Sequence, residues 1–189
     1  MEEKCCLIDA LKIIGERLGE YHAYYAEVAA TSPYGSWLCL ELQGSVIGSS
    51  IVYVLPTDPT VGVVYYIALS KGFESKGLGK VLLASSEEIL EMRGCKAFIA
   101  STTLDNIKSI SLFKSMGYAA ITIDEIYDAM DHRDVDLLLR ALCSYEDDVV
   151  FIKGMDLDAI IDVIEKSSKR VAKLWRKICY EPWRRLSIR

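Results

Sequence analysis

The chain has 189 residues, 51% of them hydrophobic, with 22 basic and 27 acidic side chains and a net charge of −5. This length and composition can bury a sizeable core and predict a single folded domain with an appendage. No apolar run approaches the roughly 18 residues needed to cross a bilayer, and the acidic N-terminal residues do not form a secretory signal, so we expect a cytoplasmic protein without membrane contact.

The first predicted elements in chain order are helical. Apolar residues recur at helical spacing from Leu7 to about Ala30, which predicts one broken helix or two successive helices with Gly19 as the break. Three β-branched and aromatic segments follow, separated by turn residues, at 37–42, 46–55 and 61–70. These segments predict an antiparallel meander.

The segment from Glu74 to Lys80 joins the third strand to an amphipathic helix that extends to Arg93. Gly77 and Gly79 let the backbone turn so that N–H groups and the positive end of the helix converge on an anion. A Walker A loop would need Gly at position 74 and Ser or Thr at position 81, where the chain has Glu and Val, and a dinucleotide fingerprint would need Gly at position 82, which is Leu. The segment therefore predicts a phosphate site of another kind.

The next predicted elements are a strand at 97–103, a helix at 106–116, and strands at 118–123 and 148–155. Gly94 and Gly117 follow the two predicted helices and fit their C-terminal ends. Together with the meander, these elements predict layers of the α+β class.

This order of elements, from about Ser36 to Ile123, resembles the GNAT superfamily of acetyl-coenzyme A-dependent N-acetyltransferases. The family's two signatures fall on residues with the right order and separation: Glu74, Gly77 and Gly79 for the pyrophosphate signature, and Asn106, Phe113, Gly117 and Tyr118 for the second. The resemblance implies a mixed α/β fold whose central sheet is mostly antiparallel, with splayed strands flanked by helices. Family members begin with a strand, for which only Lys4–Ile8 is available here.

The resemblance implies acetyl-CoA as the cosubstrate, and it places the cofactor-binding residues in a strand, a loop and a helix. They are Ile67, Ala68, Leu69, Glu74, Ser75, Lys76, Gly77, Leu78, Gly79, Lys80, Asn106 and Phe113. Two of them depart from the family pattern. Glu74 is a carboxylate where members usually carry Gln or Arg, and Phe113 occupies the position of a Tyr that can protonate the leaving thiolate. Asn106 could bind the coenzyme, cap the following helix, or do both.

The general base is left open, because the strand position where some members carry a catalytic Glu falls on Val63. Our catalytic candidates are Glu41 and Tyr66, with Tyr65, Asp105 or a chain of water molecules as alternatives. Each of these side chains could also be purely structural.

We therefore expect an N-acetyltransferase that moves an acetyl group from acetyl-CoA to a primary amine of an unidentified acceptor, either a small cationic amine or a protein. The alternative is a coenzyme A-binding regulatory or interaction module without turnover, which the substitutions at Glu74 and Phe113 suggest.

Charge is distributed unevenly toward the C-terminus. Residues 124–165 carry 13 acidic and 3 basic side chains, whereas residues 166–189 carry 9 basic and 1 acidic. We divide the chain into an acetyltransferase domain at 1–155, with an acidic insertion at about 124–147, and a basic helical extension at 156–189. The insertion either attracts a cationic acceptor or is simply a solvated surface.

The extension has apolar residues at heptad-like spacing and therefore one face to bury. Packing on its own acidic insertion or pairing in a homodimer is the favoured interpretation, and nucleic-acid binding is the alternative.

The cysteines show neither Cys-x-x-Cys nor Cys/His ligand spacing, so we expect no metal site. Buried core thiols are the favoured interpretation, with the adjacent Cys5 and Cys6 as the exception. The chain has one asparagine and one glutamine, a depletion that suggests a thermophilic source. Intracellular disulfides occur in such organisms, so a disulfide stays open.

Overall fold

Two helices open the chain in the computed structural model, which describes residues 2–187. Helix α1 (Glu2–Leu18) and helix α2 (Glu20–Ala30) are separated by Gly19, whose φ of 111° favours a residue without a Cβ atom. The predicted break at Gly19 is confirmed. The segment Lys4–Ile8 is part of α1, so the strand that family members carry ahead of the first helix is replaced by helix here.

Six strands form one sheet in the order β1-β2-β3-β4-β6-β5 within the described residues. Their bounds are β1 Gly35–Leu42, β2 Ser45–Val54, β3 Val61–Leu69, β4 Ala97–Thr102, β5 Ala119–Thr122 and β6 Val149–Lys153. Every neighbouring pair is antiparallel except β3 and β4, which are parallel. The predicted meander and the mostly antiparallel sheet are therefore confirmed.

The sheet opens between β3 and β4. These strands pair at only three positions, the last of which joins Val63 to Ile99, although β3 continues to Leu69 and β4 to Thr102. On the other side of β3, the register with β2 shifts by one residue, which leaves Tyr65 as an extra residue in a bulge. The bulge and the divergence lie at the same level, so the expected splaying of the two strands is present.

Helices cover both faces of the sheet. Helix α3 (Leu78–Met92) and helix α4 (Ile107–Ser115) pack on one face, where Leu83, Phe113 and Phe151 belong to one buried cluster. Helices α1 and α2 pack on the other face, in a larger cluster. Because side chains alternate along a strand, β4 contributes Phe98 to the first cluster and Ile99 to the second. The fold is an α+β layer structure, as expected.

The second half of the chain adds further helices to the larger cluster. They are α5 (Ile123–Ala129), α6 (His132–Leu142), α7 (Leu157–Lys166), α8 (Ser168–Trp175) and α9 (Glu181–Leu186), with a π-helical segment at Arg176–Tyr180 between the last two. Val171, Leu174 and Ile178 are buried in the same cluster as Ile14 and Ile51 of the N-terminal half. The apolar stripe of the extension is therefore covered within its own chain.

The basic extension was expected to pack on the acidic insertion through opposite charges, and the structure shows a different arrangement. Among the described residues, one ion pair joins the two segments: Arg133 of α6 lies 3.1 Å from Glu165 of α7. The insertion thus contributes the cation and the extension the anion, which reverses the predicted signs. Apolar burial therefore contributes more to the packing of the extension than attraction between opposite net charges does.

Two disulfides correct the expectation of core thiols. Cys6 pairs with Cys39 at a Cα–Cα distance of 6.2 Å, and Cys143 pairs with Cys179 at 5.7 Å, both within the usual range for such bonds. Cys95 is a buried free thiol, as expected, and Cys5 lies outside the described side chains. The sequence separations of 33 and 36 residues show why spacing alone did not indicate the pairs.

In the part of the chain that the structure describes, no helix combines the length and the apolar character that a membrane span requires. The described side chains also contain no group of three or more His, Cys, Asp or Glu that could hold a metal ion.

Candidate functional site

A cavity of about 580 Å³ lies where β3 and β4 diverge, beside the N-terminal ends of α3 and α4. Its lining residues are Arg17, Leu18, Ile67, Ala68, Leu69, Glu74, Ser75, Gly77, Gly79, Lys80, Asn106, Ile107, Lys108, Ser109, Ser111, Leu112 and Ser115. The volume is typical of a site for a small molecule or cofactor. Nine of the twelve predicted cofactor-binding residues meet in this one cavity, and their contact with a cofactor stays a prediction.

The loop before α3 presents main-chain donors to the cavity. Gly77 precedes the helix with φ 79° and ψ −7°, a left-handed conformation, and no side chain caps the helix N-terminus. The first N–H groups of an α-helix have no partner inside the helix. An anion at this end of the cavity could therefore accept hydrogen bonds from the backbone and would face the positive end of the helix dipole.

Three of the predicted residues do not line the cavity. Lys76 places its Nζ atom 5.3 Å from the centroid of the Phe73 ring, whereas Lys80 is part of the lining. Leu78 begins α3 and is also absent from the lining. Lys80 is therefore the one of these two predicted lysines that can add positive charge to the cavity.

Phe113 corrects the sequence prediction most clearly. Its side chain is 3% exposed and stacks on Phe151, with ring centroids 4.5 Å apart and planes 9° apart, while Tyr118 meets it edge-on at 4.9 Å. The ring is part of the core under α4 and not of the cavity wall. At the position where many family members carry a Tyr, this chain therefore has a Phe whose ring packs in the core.

Asn106 has both of the properties that the sequence left open. Its Oδ1 accepts a hydrogen bond from the backbone N–H of Ser109 at 3.2 Å, which caps α4, and its Nδ2 donates to Thr102 Oγ1 at 3.0 Å. It also lines the cavity. The cap holds α4 at the end of β4, and the residue remains available to a ligand.

The Glu74 carboxylate forms ion pairs with two basic side chains that the sequence did not indicate as neighbours of the loop. Its carboxylate pairs with Arg17 at the end of α1 and with Lys108 in the first turn of α4. The hydrogen bond from Lys108, together with the positive charges of both side chains, lowers the pKa of Glu74. Arg17 and Lys108 are 57 and 34 residues away from Glu74 in sequence, so no local pattern could indicate these contacts.

A second group of polar side chains lies on the α1/α2 side of the same opening. The Tyr66 hydroxyl is 3.2 Å from Nδ1 of His22, and the Tyr65 ring centroid is 4.3 Å from that of Tyr66. Burial raises the pKa of the Tyr66 phenol well above its usual value, and the negative charge of Asp147 adds to the rise. The Tyr66 hydroxyl therefore keeps its proton at neutral pH and can donate a hydrogen bond.

Asp147 is a carboxylate that the structure brings close to Tyr66, on the α1/α2 side of this opening. Ser101 Oγ donates to its Oδ2 at 2.5 Å. Ser101 follows Ile99 by two positions on β4, so it lies on the same sheet face and just beyond the last pairing with β3. The sequence placed Asp147 at the end of the acidic insertion and gave no sign that it faces β3.

A sequence model described as the acetyltransferase (GNAT) family matches residues 8–118, more than half of the chain. The chain belongs to the GNAT family.

Related acetyltransferases match this chain over only part of their length. The mycothiol acetyltransferase of Arthrobacter sp. (strain FB24) is 28% identical over 98 residues, which are 50% of this chain and 30% of that protein. The mycothiol acetyltransferase of Pseudarthrobacter chlorophenolicus is 29% identical over 98 residues, which again are 50% of this chain and 30% of that protein. The match thus spans less than a third of these curated relatives.

Solved acetyltransferase-like structures share the fold at low sequence identity. The NatC complex bound to Gag peptide and CoA contains a chain with a TM-score of 0.56 and 15% identity, over 82% of this chain and 93% of that one. An aminoglycoside N-acetyltransferase in complex with CoA gives a TM-score of 0.54 and 16% identity, over 61% and 82% of the two chains.

Two predicted features of this GNAT chain lie away from the cavity. Glu41 is exposed near the hairpin end of β1, and β2 separates that strand from β3, so it is not brought to the opening. The acidic insertion contributes to a separate depression, lined by Asp128, Ala129, Met130, Asp131, Asp134 and Asp158, that shares no lining residue with the cavity. Of the insertion's acidic residues, Asp128, Asp131 and Asp134 therefore lie at this depression, whereas Asp147 at the end of the insertion reaches the opening beside Tyr66.

Proposed function

We propose that the protein is an acetyl-CoA-dependent N-acetyltransferase that transfers an acetyl group to a primary amine. The observation that carries the proposal is the left-handed Gly77 before α3, whose N-terminus no side chain caps, at a cavity opened by the divergence of β3 and β4. Membership of the GNAT family supports it, as does a fold shared with two proteins whose structures contain CoA.

The cavity fits the coenzyme in its chemistry. Main-chain N–H groups at the start of α3 suit the diphosphate. Beyond Val63, the edge of β3 that faces β4 no longer pairs with that strand, so the backbone at Ile67–Leu69 is free to bind the amide groups of the pantetheine arm. The bound coenzyme would supply a thioester as the acetyl donor.

The residues on the other side of the opening suit the acceptor and the proton transfers. Transfer requires the amine nitrogen to attack the thioester carbonyl, so that a C–N bond forms and the C–S bond breaks, while the nitrogen loses a proton and the sulfur gains one. Tyr66 keeps its phenolic proton at neutral pH and could pass it to the leaving sulfur. Phe113 cannot do so, because its side chain has no hydroxyl group. Asp147 can attract the acceptor as an ammonium ion; once that ion has released one proton to solvent, the neutral amine can attack, and Asp147 can receive the proton that the nitrogen loses as the C–N bond forms.

The acceptor class is a primary amine on either a small cationic molecule or a protein. The mycothiol acetyltransferases match this chain over less than a third of their length. Their acceptor is therefore only one of the amines to be tested as a substrate.

Calorimetric titration with acetyl-CoA, followed by mass spectrometry of reactions with a panel of amines, tests the proposal. The panel contains aminoglycosides, amino sugar conjugates and peptides with free N-termini or lysines. We expect saturable acetyl-CoA binding and an acetylated product with at least one amine. Binding without any product would favour the alternative of a regulatory CoA-binding module, and the absence of binding would contradict both.

A further inference from the structure

Three charged side chains from three separate elements meet at the rim of the cavity. Arg17 comes from the last turn of α1, Glu74 from the loop before α3, and Lys108 from the first turn of α4. The two carboxylate oxygens of Glu74 are divided between the cations, Oε1 to Arg17 and Oε2 to Lys108.

Stability gives little reason for this arrangement. Lys108 is 73% exposed, and ion pairs with an exposed member contribute little because solvent screens them. Lys108 also lies at the N-terminal end of α4, where a cation is disfavoured by the helix dipole. Lys108 thus opposes the dipole of α4, and its ion pair with Glu74 is screened by solvent. A role in binding a ligand explains this position better than a role in stability does.

The surroundings of Glu74 are otherwise positive. Arg17, Lys108 and Lys80 line this part of the cavity together with the N-terminus of α3. A phosphate group carries more negative charge than a carboxylate, and a guanidinium can bind it through two parallel hydrogen bonds. The two cations that hold Glu74 are therefore equally suited to hold a phosphate.

We propose that Arg17 and Lys108 bind a phosphate group of the coenzyme and that the Glu74 carboxylate competes with this phosphate for them. The inference rests on the proposed function, because it concerns the same cavity. Binding exchanges one anion for another at the two cations, and Glu74 turns toward solvent. The carboxylate at the family's Gln or Arg position thereby weakens the affinity for the coenzyme and leaves the site intact.

Calorimetric titration of CoA and of 3′-dephospho-CoA into four proteins tests this exchange: the wild type, Arg17→Ala, Lys108→Ala and Glu74→Gln. We expect each cation variant to bind CoA about tenfold more weakly, the loss of one charge-assisted hydrogen bond. Glu74→Gln should bind roughly threefold or more tightly, because the repulsion between carboxylate and phosphate disappears. Added salt should weaken CoA binding less in the cation variants than in the wild type.

The two ligands distinguish the two phosphate sources. If Arg17 and Lys108 bind the 3′-phosphate, their substitution should not weaken the binding of 3′-dephospho-CoA. If they bind the diphosphate, both ligands should lose affinity equally. Either result supports the proposal and identifies the phosphate.

Two exposed residues provide matched controls outside the cavity lining. Lys114→Ala removes a cation from the same helix as Lys108, and Glu88→Gln neutralises a carboxylate on α3. Both should leave the affinity for CoA unchanged. Thermal unfolding of every variant checks that the fold is retained.

Unchanged CoA binding by both cation variants would overturn the inference, as would weaker binding by Glu74→Gln. A wild-type protein that binds neither ligand would instead contradict the proposed function.

Discussion

At the residue scale, Tyr66 is the side chain whose chemistry the structure defines best. Its phenol lies at the opening between β3 and β4, and burial raises its pKa. The phenol therefore keeps its proton as the pH rises through neutrality, so the acid function that we propose for Tyr66 should not be lost on the alkaline side of the activity profile. The Tyr that many family members place at Phe113 has a functional substitute in Tyr66 under this interpretation.

Replacement of Tyr66 by Phe tests the acid function directly. The variant keeps the ring and its packing but loses the proton, so kcat should fall by about 100-fold, within the usual range for a general acid. The affinity for acetyl-CoA should not change, since Tyr66 does not line the coenzyme cavity. Steady-state kinetics with the best amine of the panel, together with calorimetry, measure both quantities. An unchanged kcat would remove Tyr66 from the mechanism.

Asp147 leads to a separate prediction about the acceptor. Asp147→Asn removes both the charge that attracts an ammonium group and the carboxylate that would receive the proton. The KM for a cationic amine should therefore rise about tenfold or more, a loss of about 1.4 kcal/mol, and kcat should fall as well. Ser101→Ala should raise KM less, because it removes only the hydrogen bond that positions the carboxylate.

The adjacent Glu146 is exposed, and Glu146→Gln is the matched control for Asp147→Asn. If this control raises KM as much as Asp147→Asn does, the effect is a general field of the acidic segment and not a specific contact. Kinetics at two salt concentrations separate the two cases, since a diffuse field is screened more strongly.

The site residues differ in how far the sequence could indicate them. Asn106 and most of the loop Glu74–Lys80 were predictable as cavity-lining residues because motif and local structure coincide there, although Lys76 and Leu78 do not line the cavity. Arg17 and Asp147 were not, since each reaches the site through contacts with residues distant in sequence. Phe113 was misplaced for a related reason: a motif position fixes the backbone of α4, whereas the neighbouring Phe151 and Tyr118 decide that its ring is buried.

At the element scale, α3 has a left-handed glycine at each end. Gly77 precedes the helix with φ 79°, and Gly94 follows it with φ 87°; an added Cβ atom would meet nothing within 4 Å at either position. Ala at either position should therefore cost about 1–2 kcal/mol of unfolding free energy through backbone strain alone.

The two glycine variants separate stability from binding. Gly77→Ala alters the backbone donors at the cavity and should weaken acetyl-CoA binding, whereas Gly94→Ala lies at the opposite end of the helix and should not. Chemical denaturation and calorimetry on both variants measure the two effects. Equal weakening of acetyl-CoA binding by both substitutions would show that α3 stability, and not the geometry of Gly77, controls affinity.

The elements themselves were predicted to within a few residues wherever apolar periodicity and turn residues agreed. The C-terminal extension was the exception, because heptad-like spacing predicted one helix from Asp156 onward. The structure ends α7 at Lys166 and begins α8 at Ser168, with Ser167 buried between them at φ −110°. The periodicity identified the buried face correctly but did not indicate where one helix ends and the next begins.

At the scale of the whole molecule, the fold and the family follow from two short signatures and the order of elements. The two disulfides do not follow from the sequence, because their pairing depends on which elements meet in space. The thermophilic source, the homodimer and nucleic-acid binding by the extension stay predictions from composition and charge. The covered apolar stripe of the extension removes one physical reason for dimerisation, since Val171, Leu174 and Ile178 are already buried.

The disulfide between Cys143 and Cys179 links the end of α6 to the π-helical segment and so attaches the extension to the domain. Closing a loop of 36 residues should stabilise the fold by about 3–4 kcal/mol, mainly by restricting the unfolded chain. The double variant Cys143→Ser/Cys179→Ser should lose that amount in chemical denaturation, while its affinity for acetyl-CoA stays the same because neither cysteine lines the cavity.

Thiol titration of the unfolded protein provides the control for this prediction. The oxidised chain should show four fewer reactive thiols than the reduced chain, because both disulfides contribute two each. Reductant should destabilise the double variant less than the wild type, since only the bond between Cys6 and Cys39 remains to be broken. A double variant as stable as the oxidised wild type would show that apolar packing alone holds the extension on the domain.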